Sequence, residues 1–374
     1  MGFGQRHYVP ILRLKTGEAR ALARLDDATK NALTPLLEIP SVAWDFEQQR
    51  FKESLETHLP KMVARVEEAW AGREAMVDLQ HIPSGDRALP DRDHIVSHFF
   101  AMARERGRTL VPVTGPDRDT AFQAAVRGVA AMDRNGVCLR VKADDFLSQD
   151  LGALDDLLAD LDLRAEDTDL VLDLGPVVKE PPRYVIAALH AALRGLPRPQ
   201  DWRSLVLAAT GFPQYLTELE HGIDEVPRHE WSVWSDLPPN LPRRPTFGDY
   251  AIANPNIEEL DPRTMRMSAS IRYTTDEHWV VARGRNIQQY GSSQYRDLSQ
   301  RLTNMPDVFN GAEFSAGDRY MKDCADGTEG FGNPMTWRWV GTNHHLTFVV
   351  RQLAKTFEVS ATPEPQASVR RTAP

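Results

Sequence analysis

Cysteine is almost absent: Cys138 and Cys324 are the only two among 374 residues, and they lie far apart in the chain. That excludes a disulfide framework and a Cys-rich zinc site, and free thiols fit a cytoplasmic setting. Long apolar runs are also missing. Nothing approaches the roughly 18 consecutive apolar residues of a membrane span, so no membrane partner is expected, and the opening MGFGQRHYVPILRLK lacks the apolar centre of a signal peptide. There is no excess of positive charge. A net charge of −9 argues against long duplex DNA as the main partner, while leaving room for a local basic pocket. Short catalytic signatures are absent as well: no P-loop, no H-E-x-x-H, no G-x-S-x-G, and no G-x-G-x-x-G after the first apolar run.

A rhythm is present instead. Eight short apolar runs occur at 8–15, 33–40, 75–82, 109–116, 136–143, 169–177, 204–213 and 246–255. Each of the first six is followed by a segment with helical spacing: Glu18–Leu33, Phe51–Trp70, His94–Arg106, Asp119–Met132, Leu151–Leu161 and Arg183–Leu193. Near-continuous apolar strands alternating with helices predict βαβ units and a buried parallel sheet. Eight units in residues 7–255 is the count of an α/β (β/α)8 TIM-like barrel; an open doubly wound sheet is the alternative. Between runs seven and eight, VPRHEWSVWSDL places Trp231, Trp234 and Leu237 three apart, which predicts a helix packed on the barrel exterior.

Strands buried on both faces should be apolar, yet Arg13, Glu38, Asp78, Arg140, Asp173 and Asp249 fall near strand C-terminal ends. Gln80, His81, Lys15, Lys142, Thr114 and Thr210 follow at or just beyond those ends. Buried charges must pair, bind an ion or face a wet cavity, and the C-terminal strand ends form the active-site mouth of barrel enzymes. The expectation is a polar ligand site at the mouth, the alternative an ion-pair network that only holds the strands. Glu38, Asp78 and Asp173 are candidates to hold a divalent metal or act as acid and base. Arg13 and Arg140, with Gln80, Lys142, Asp249 and Arg272, are candidates to bind a small phosphate-bearing ligand.

After Pro255 the rhythm breaks. Residues 256–340 carry a hairpin with its turn near Thr275–Glu277, a helix in SSQYRDLSQRL capped by Ser292 or Ser293, and a Gly-rich stretch with a short helix near Ala316–Cys324. This long α+β segment is expected either as a lid over the mouth or as a small domain beside the barrel. TWRWVGTNHHLTFVVRQLAKTF reads as a long helix or as a turn followed by one, and residues 341–357 are expected to supply the closing helix, with Thr342 or Asn343 as its cap. His344 and His345 would then stand in its first turn at the mouth, as catalytic assistants or as ordinary capping and packing residues. The tail 358–374, EVSATPEPQASVRRTAP, has no hydrophobic periodicity and is expected to be disordered.

The blocks YVPILRLKTGEARALARLDDATKNALTPLLEIP with a following WDFE, then RRPTFGDYAIANP, IRYTTDEHWVVARGR, GAEFSAGDRY and NPMTWRWVGTNHHLTFVVRQL, resemble the beta family proteins, named for the beta protein of a satellite phage. The resemblance spans residues 7–357. It implies a prophage or anti-phage setting and antagonism of a companion protein encoded nearby, either a toxin or a defence effector. It implies no catalytic residues. Three functions follow as expectations: a defence or toxin-antagonist component with a ligand site at the mouth, a metal-assisted phosphodiesterase or nuclease-like hydrolase, and a sensor of a nucleotide or other small anion. The fold alone does not choose among them.

Overall fold

Alternation with period two decides where every barrel side chain goes. The structure, a computed structural model, describes residues 2–89, 94–147, 152–177, 182–256, 261 and 267–359. Its first strands are β1 (Tyr8–Arg13), β2 (Leu36–Glu38), β3 (Ala75–Asp78), β4 (Leu110–Thr114), β5 (Val137–Lys142), β6 (Thr168–Pro176) and β7 (Ser204–Thr210). Two further strands follow, β8 (Gly222–Pro227) and β9 (Thr246–Asp249). All except β8 form a closed parallel barrel in the order β1-β9-β7-β6-β5-β4-β3-β2. The barrel interior is filled by Val9, Ile11, Leu36, Met76, Val111, Val113, Cys138, Val171, Val206 and Ala208. The intervening residues, such as Leu12, Leu37, Val77 and Leu139, point outward into a second core shared with the helices. Both faces are therefore dry, which is why these strands read as continuous apolar runs.

Helices α1 (Thr16–Ala23), α2 (Leu55–Ala69), α3 (Ile95–Glu105), α4 (Thr120–Asp133), α5 (Gly152–Asp160), α6 (Pro182–Gly195) and α7 (His229–Ser235) cover the barrel in chain order. Local chemistry starts several of them. Asp119 caps α4 by accepting the Phe122 amide, and the His94 ring accepts the Val96 amide at α3. The helix expected around Trp231 and Trp234 is α7, with Trp234 packed edge-on against Phe247 of β9.

The chain after β9 builds a second layer of structure. Strands β10 (Ser268–Thr274) and β11 (His278–Asn286) form the expected hairpin, followed by α8 (Gln294–Thr303), α9 (Ala316–Asp326) and α10 (Pro334–Val359). The order of this sheet is β8-β11-β10, so the connection after β7 contributes a strand that the rhythm of apolar runs does not mark. Ala269, Ile271, Tyr273, Leu298, Met321 and Trp337 give the segment its own core. Leu346, Val349 and Leu353 of α10 belong to the outer barrel core, so this helix closes the barrel's helical layer.

The closing helix differs from the expected 341–357. It begins at Pro334 in the first helical position, with Asn333 accepting the Thr336 amide, and runs 26 residues to Val359. Thr342 and Asn343 are therefore interior residues, not caps. The remainder of the tail expected to be disordered, 360–374, lies outside the described residues. No described helix is long and apolar enough to cross a membrane.

Candidate functional site at the barrel mouth

Arg140 organises the mouth. Each mouth charge stands two residues beyond an inward apolar residue: Leu36 then Glu38, Met76 then Asp78, Cys138 then Arg140, Val171 then Asp173. The two-residue period carries all four side chains inward, where they meet. Arg140 Nη1 donates to Glu38 Oε1 at 2.8 Å and to Asp78 Oδ2 at 3.1 Å. Its Nε donates to Asp173 Oδ2 at 3.0 Å, and Nη2 donates to the Tyr250 hydroxyl at 2.8 Å. The Tyr250 hydroxyl in turn donates to Asp173 at 2.6 Å. One guanidinium thus faces three carboxylates in a nearly dry layer.

A second tier surrounds it. Gln80 donates to Glu38 at 2.8 Å and accepts from Arg118 at 3.1 Å. Arg118 also donates to Asp78 at 3.1 Å and pairs with Asp117. His81 Nε2 lies 3.0 Å from Glu38 Oε2. Arg13 is held more loosely, with Nε 3.9 Å from Glu38 and Nη2 donating to the Pro255 carbonyl at 3.3 Å. Half-exposed Lys142 pairs with Asp117 at 2.8 Å. Burial alone would raise the Glu38 carboxyl, but Arg140 and His81 outweigh it and hold Glu38 well below the usual carboxylate range. It is a fixed negative charge.

Two clefts open onto this layer. A central cleft of about 400 Å³ is lined by Glu38, His81, Arg140, Lys142, Asp144 and Asp173, with Tyr250 and the Gly175 turn. A lateral cleft of about 380 Å³ runs from Arg13 and Glu38 past the start of α1 to Arg338 at the start of α10. Glu38, Tyr250 and Pro255 belong to both. Clefts of a few hundred cubic ångströms suit small molecules.

Four residues expected in or beside the mouth lie elsewhere. Asp249 pairs in register with Ala209, one step out of phase with inward Ala208, so its carboxylate points outward while Gly248 and Tyr250 turn in. It accepts from the Tyr8 hydroxyl and, at 2.8 Å, from the Ala251 amide, and lies 2.9 Å from His345 Nε2. His344 and His345 are fully buried inside α10, well past its first turn. The anion-binding role expected at a helix start therefore does not apply to them. His345 Nδ1 lies 2.8 Å from the Thr274 hydroxyl, and burial lowers the ring's pKa, so it is neutral, donating to Asp249 and accepting from Thr274. His344 places Nδ1 2.9 Å from Asp318 and Nε2 2.9 Å from the Thr274 carbonyl, and its ring stacks on Tyr273. Both of its nitrogens face oxygen atoms of neighbouring residues. Arg272 donates to the Ile252 carbonyl at 2.6 Å and lies over the Phe212 ring; burial, with Arg338 nearby, lowers its pKa.

Glu38, Asp78 and Asp173 do come together, but around a guanidinium. Among the described residues no group of three His, Cys, Asp or Glu side chains has the geometry of a metal site. Arg118 and Tyr250 were missed from the sequence. Arg118 sits in the loop after β4, and Tyr250 stands one residue beyond the strand end, where an aromatic reads as packing.

No curated protein matches the chain. Among solved structures it is similar to triosephosphate isomerase from Bartonella henselae, at 14% identity and a TM-score of 0.35, covering 66% of this chain and 93% of that one. The Beta protein family model matches residues 8–351, nearly all of the barrel and its added layer, and the chain belongs to that family.

Proposed function

We propose that the barrel mouth binds a small polar ligand and that, through it, the protein serves as a phage-defence or toxin-antagonist component acting with a companion protein. The supporting observation is the pair of clefts converging on Glu38 and Tyr250 above a fixed layer of charge. Carboxylates held by Arg140 are poorly placed to exchange protons or wrap a cation, but they present fixed acceptors to a ligand's hydroxyl or amino groups. The phage and companion-protein setting rests on the family resemblance of the sequence blocks.

A hydrolase is the second reading, favoured by one contact. His81 lies 3.0 Å from Glu38 and lines the central cleft, an imidazole oriented by a carboxylate as a general base would be.

The test is a challenge assay in the native host, against phage or the companion toxin, with Asp173→Asn and with Lys142→Ala, each checked for folding. Loss of protection by both folded variants supports the mouth. Full protection by both would remove the mouth from the mechanism. If His81→Ala is inactive while still retaining ligand, the hydrolase reading gains over simple binding.

A further inference from the structure

The two clefts that share Glu38 differ in charge. The central cleft is lined by three carboxylates, Glu38, Asp144 and Asp173, against the cations Arg140 and Lys142. The lateral cleft reverses the balance, with Arg13, Lys15 and Arg338 against Glu18 and Glu38. Its Glu38 charge is already shared with Arg140 and His81.

The lateral arginines are also held differently from Arg140. Arg13 makes contacts of 3.3 Å and longer, to Pro255, His81 and Glu38. Arg338 lies 3.6 Å from Glu18 and 3.3 Å from the Ile252 carbonyl. Arg140, by contrast, is fully engaged at 2.8–3.1 Å. Loosely held guanidinium groups at a cleft wall are ready to take a charge-assisted partner.

Two features of the wall extend the point. No side chain caps α1, and its first residues, Thr16, Gly17 and Glu18, line the cleft, so the positive end of that helix opens there. Gly17 makes this geometry possible, because a Cβ there would meet Arg338 Cγ at 2.6 Å. Independently, Glu18 lines the same cleft, is only 9% exposed, and its Oε2 is buried without a hydrogen-bond partner. A buried carboxylate oxygen left bare is costly, and it calls for a donor.

Resting on the reading of the mouth as a ligand site, we infer that the lateral cleft binds the phosphate end of a phosphorylated, hydroxyl-bearing ligand such as a sugar phosphate or nucleotide, with Arg13 and Arg338 on the phosphate and Glu18 on a hydroxyl. The remainder of the ligand reaches past Tyr250 toward the acidic central cleft, where Asp173 and Glu38 present further acceptors.

Titration calorimetry of the full chain with ribose 5-phosphate, inorganic phosphate and ribose tests this, with Arg338→Gln, Arg13→Gln and Glu18→Gln compared after a thermal-unfolding check. Ribose 5-phosphate should bind more tightly than either fragment. Each arginine variant should weaken both phosphates roughly tenfold or more. Glu18→Gln should weaken ribose 5-phosphate but not inorganic phosphate, an asymmetry that mere damage to the cleft would not produce. Should Arg338→Gln fail to fold, Arg13→Gln carries the same comparison. Phosphate affinity unchanged in a folded arginine variant overturns the assignment, as does a wild-type chain that binds no phosphate. A host-derived ligand lost in Asp173→Asn but kept in Arg338→Gln would sink this inference and leave the mouth reading standing. A chain that retains no small molecule in any form would sink both.

Discussion

The mouth and the seam between the barrel and its C-terminal layer are both buried polar networks, and they do opposite things with burial. At the mouth, Arg140 gathers three carboxylates, and clefts open directly onto the layer. In the seam, Tyr8, Asp249, His345, Thr274, His344 and Asp318 form a chain of hydrogen bonds in which every member is fully buried. Thr274 links the halves, its hydroxyl meeting one histidine and its carbonyl the other. The same residue types thus stabilise an interface in one place and face solvent-accessible space in the other. Chemistry-bearing residues become a candidate site only where something can reach them.

The largest expected effect breaks the mouth. Arg140→Met leaves Glu38, Asp78 and Asp173 without their shared cation, and denaturant unfolding at neutral pH should show a loss of about 3–5 kcal/mol. The pH dependence should change sign at Glu38. In the native chain its depressed pKa contributes stability that is present at neutral pH and lost only as pH falls deep into the acid range. In the variant, burial without Arg140 pushes the carboxyl up, so acid should partly rescue stability.

Next is the seam. Asp249→Ala leaves the Tyr8 hydroxyl and the His345 and Ala251 N–H groups without their acceptor, and unfolding should show a loss of about 2–4 kcal/mol. Ligand affinity per folded molecule should be unchanged. A selective loss of affinity with normal stability would contradict the division between the two networks.

The smallest effect sharpens the seam's edge. Glu230 is fully buried beside Arg228, and burial, reinforced by Asp249, pushes its carboxyl up from 4.5 to about 7 despite Arg228. A raised folded-state pKa means stability that is complete below 4.5 and lost as pH rises toward 7. Glu230→Gln should flatten that slope in thermal melts across this window. An unchanged slope would show that Glu230 is ionised throughout.

The barrel was legible because strands dry on both faces cannot hide, and the mouth was legible because charge in such strands has few explanations. Asp249 misled because strand-end position was read without parity; the register of β9 on β7 turns it outward. Strand β8 was missed because GIDEVP is a polar, mostly exposed edge strand that reads as a loop. The expected start of the closing helix, at Gly341, falls inside α10, which begins at Pro334. In the structure Gly341 is an interior glycine whose missing Cβ lets the helix approach the Arg272 carbonyl, where an added carbon would sit at 2.8 Å. Such close approaches belong to tertiary packing and leave no periodicity to read.

The most direct measurement is native mass spectrometry of the protein purified gently from its own host, with denaturing analysis of whatever is released. The account predicts a stoichiometric small polar ligand, phosphate-bearing, retained by the native chain and by Asp249→Ala but lost from Asp173→Asn. A native chain that carries only a companion protein and no small molecule would contradict it, and Arg140 with its carboxylates would then stand as a purely structural network.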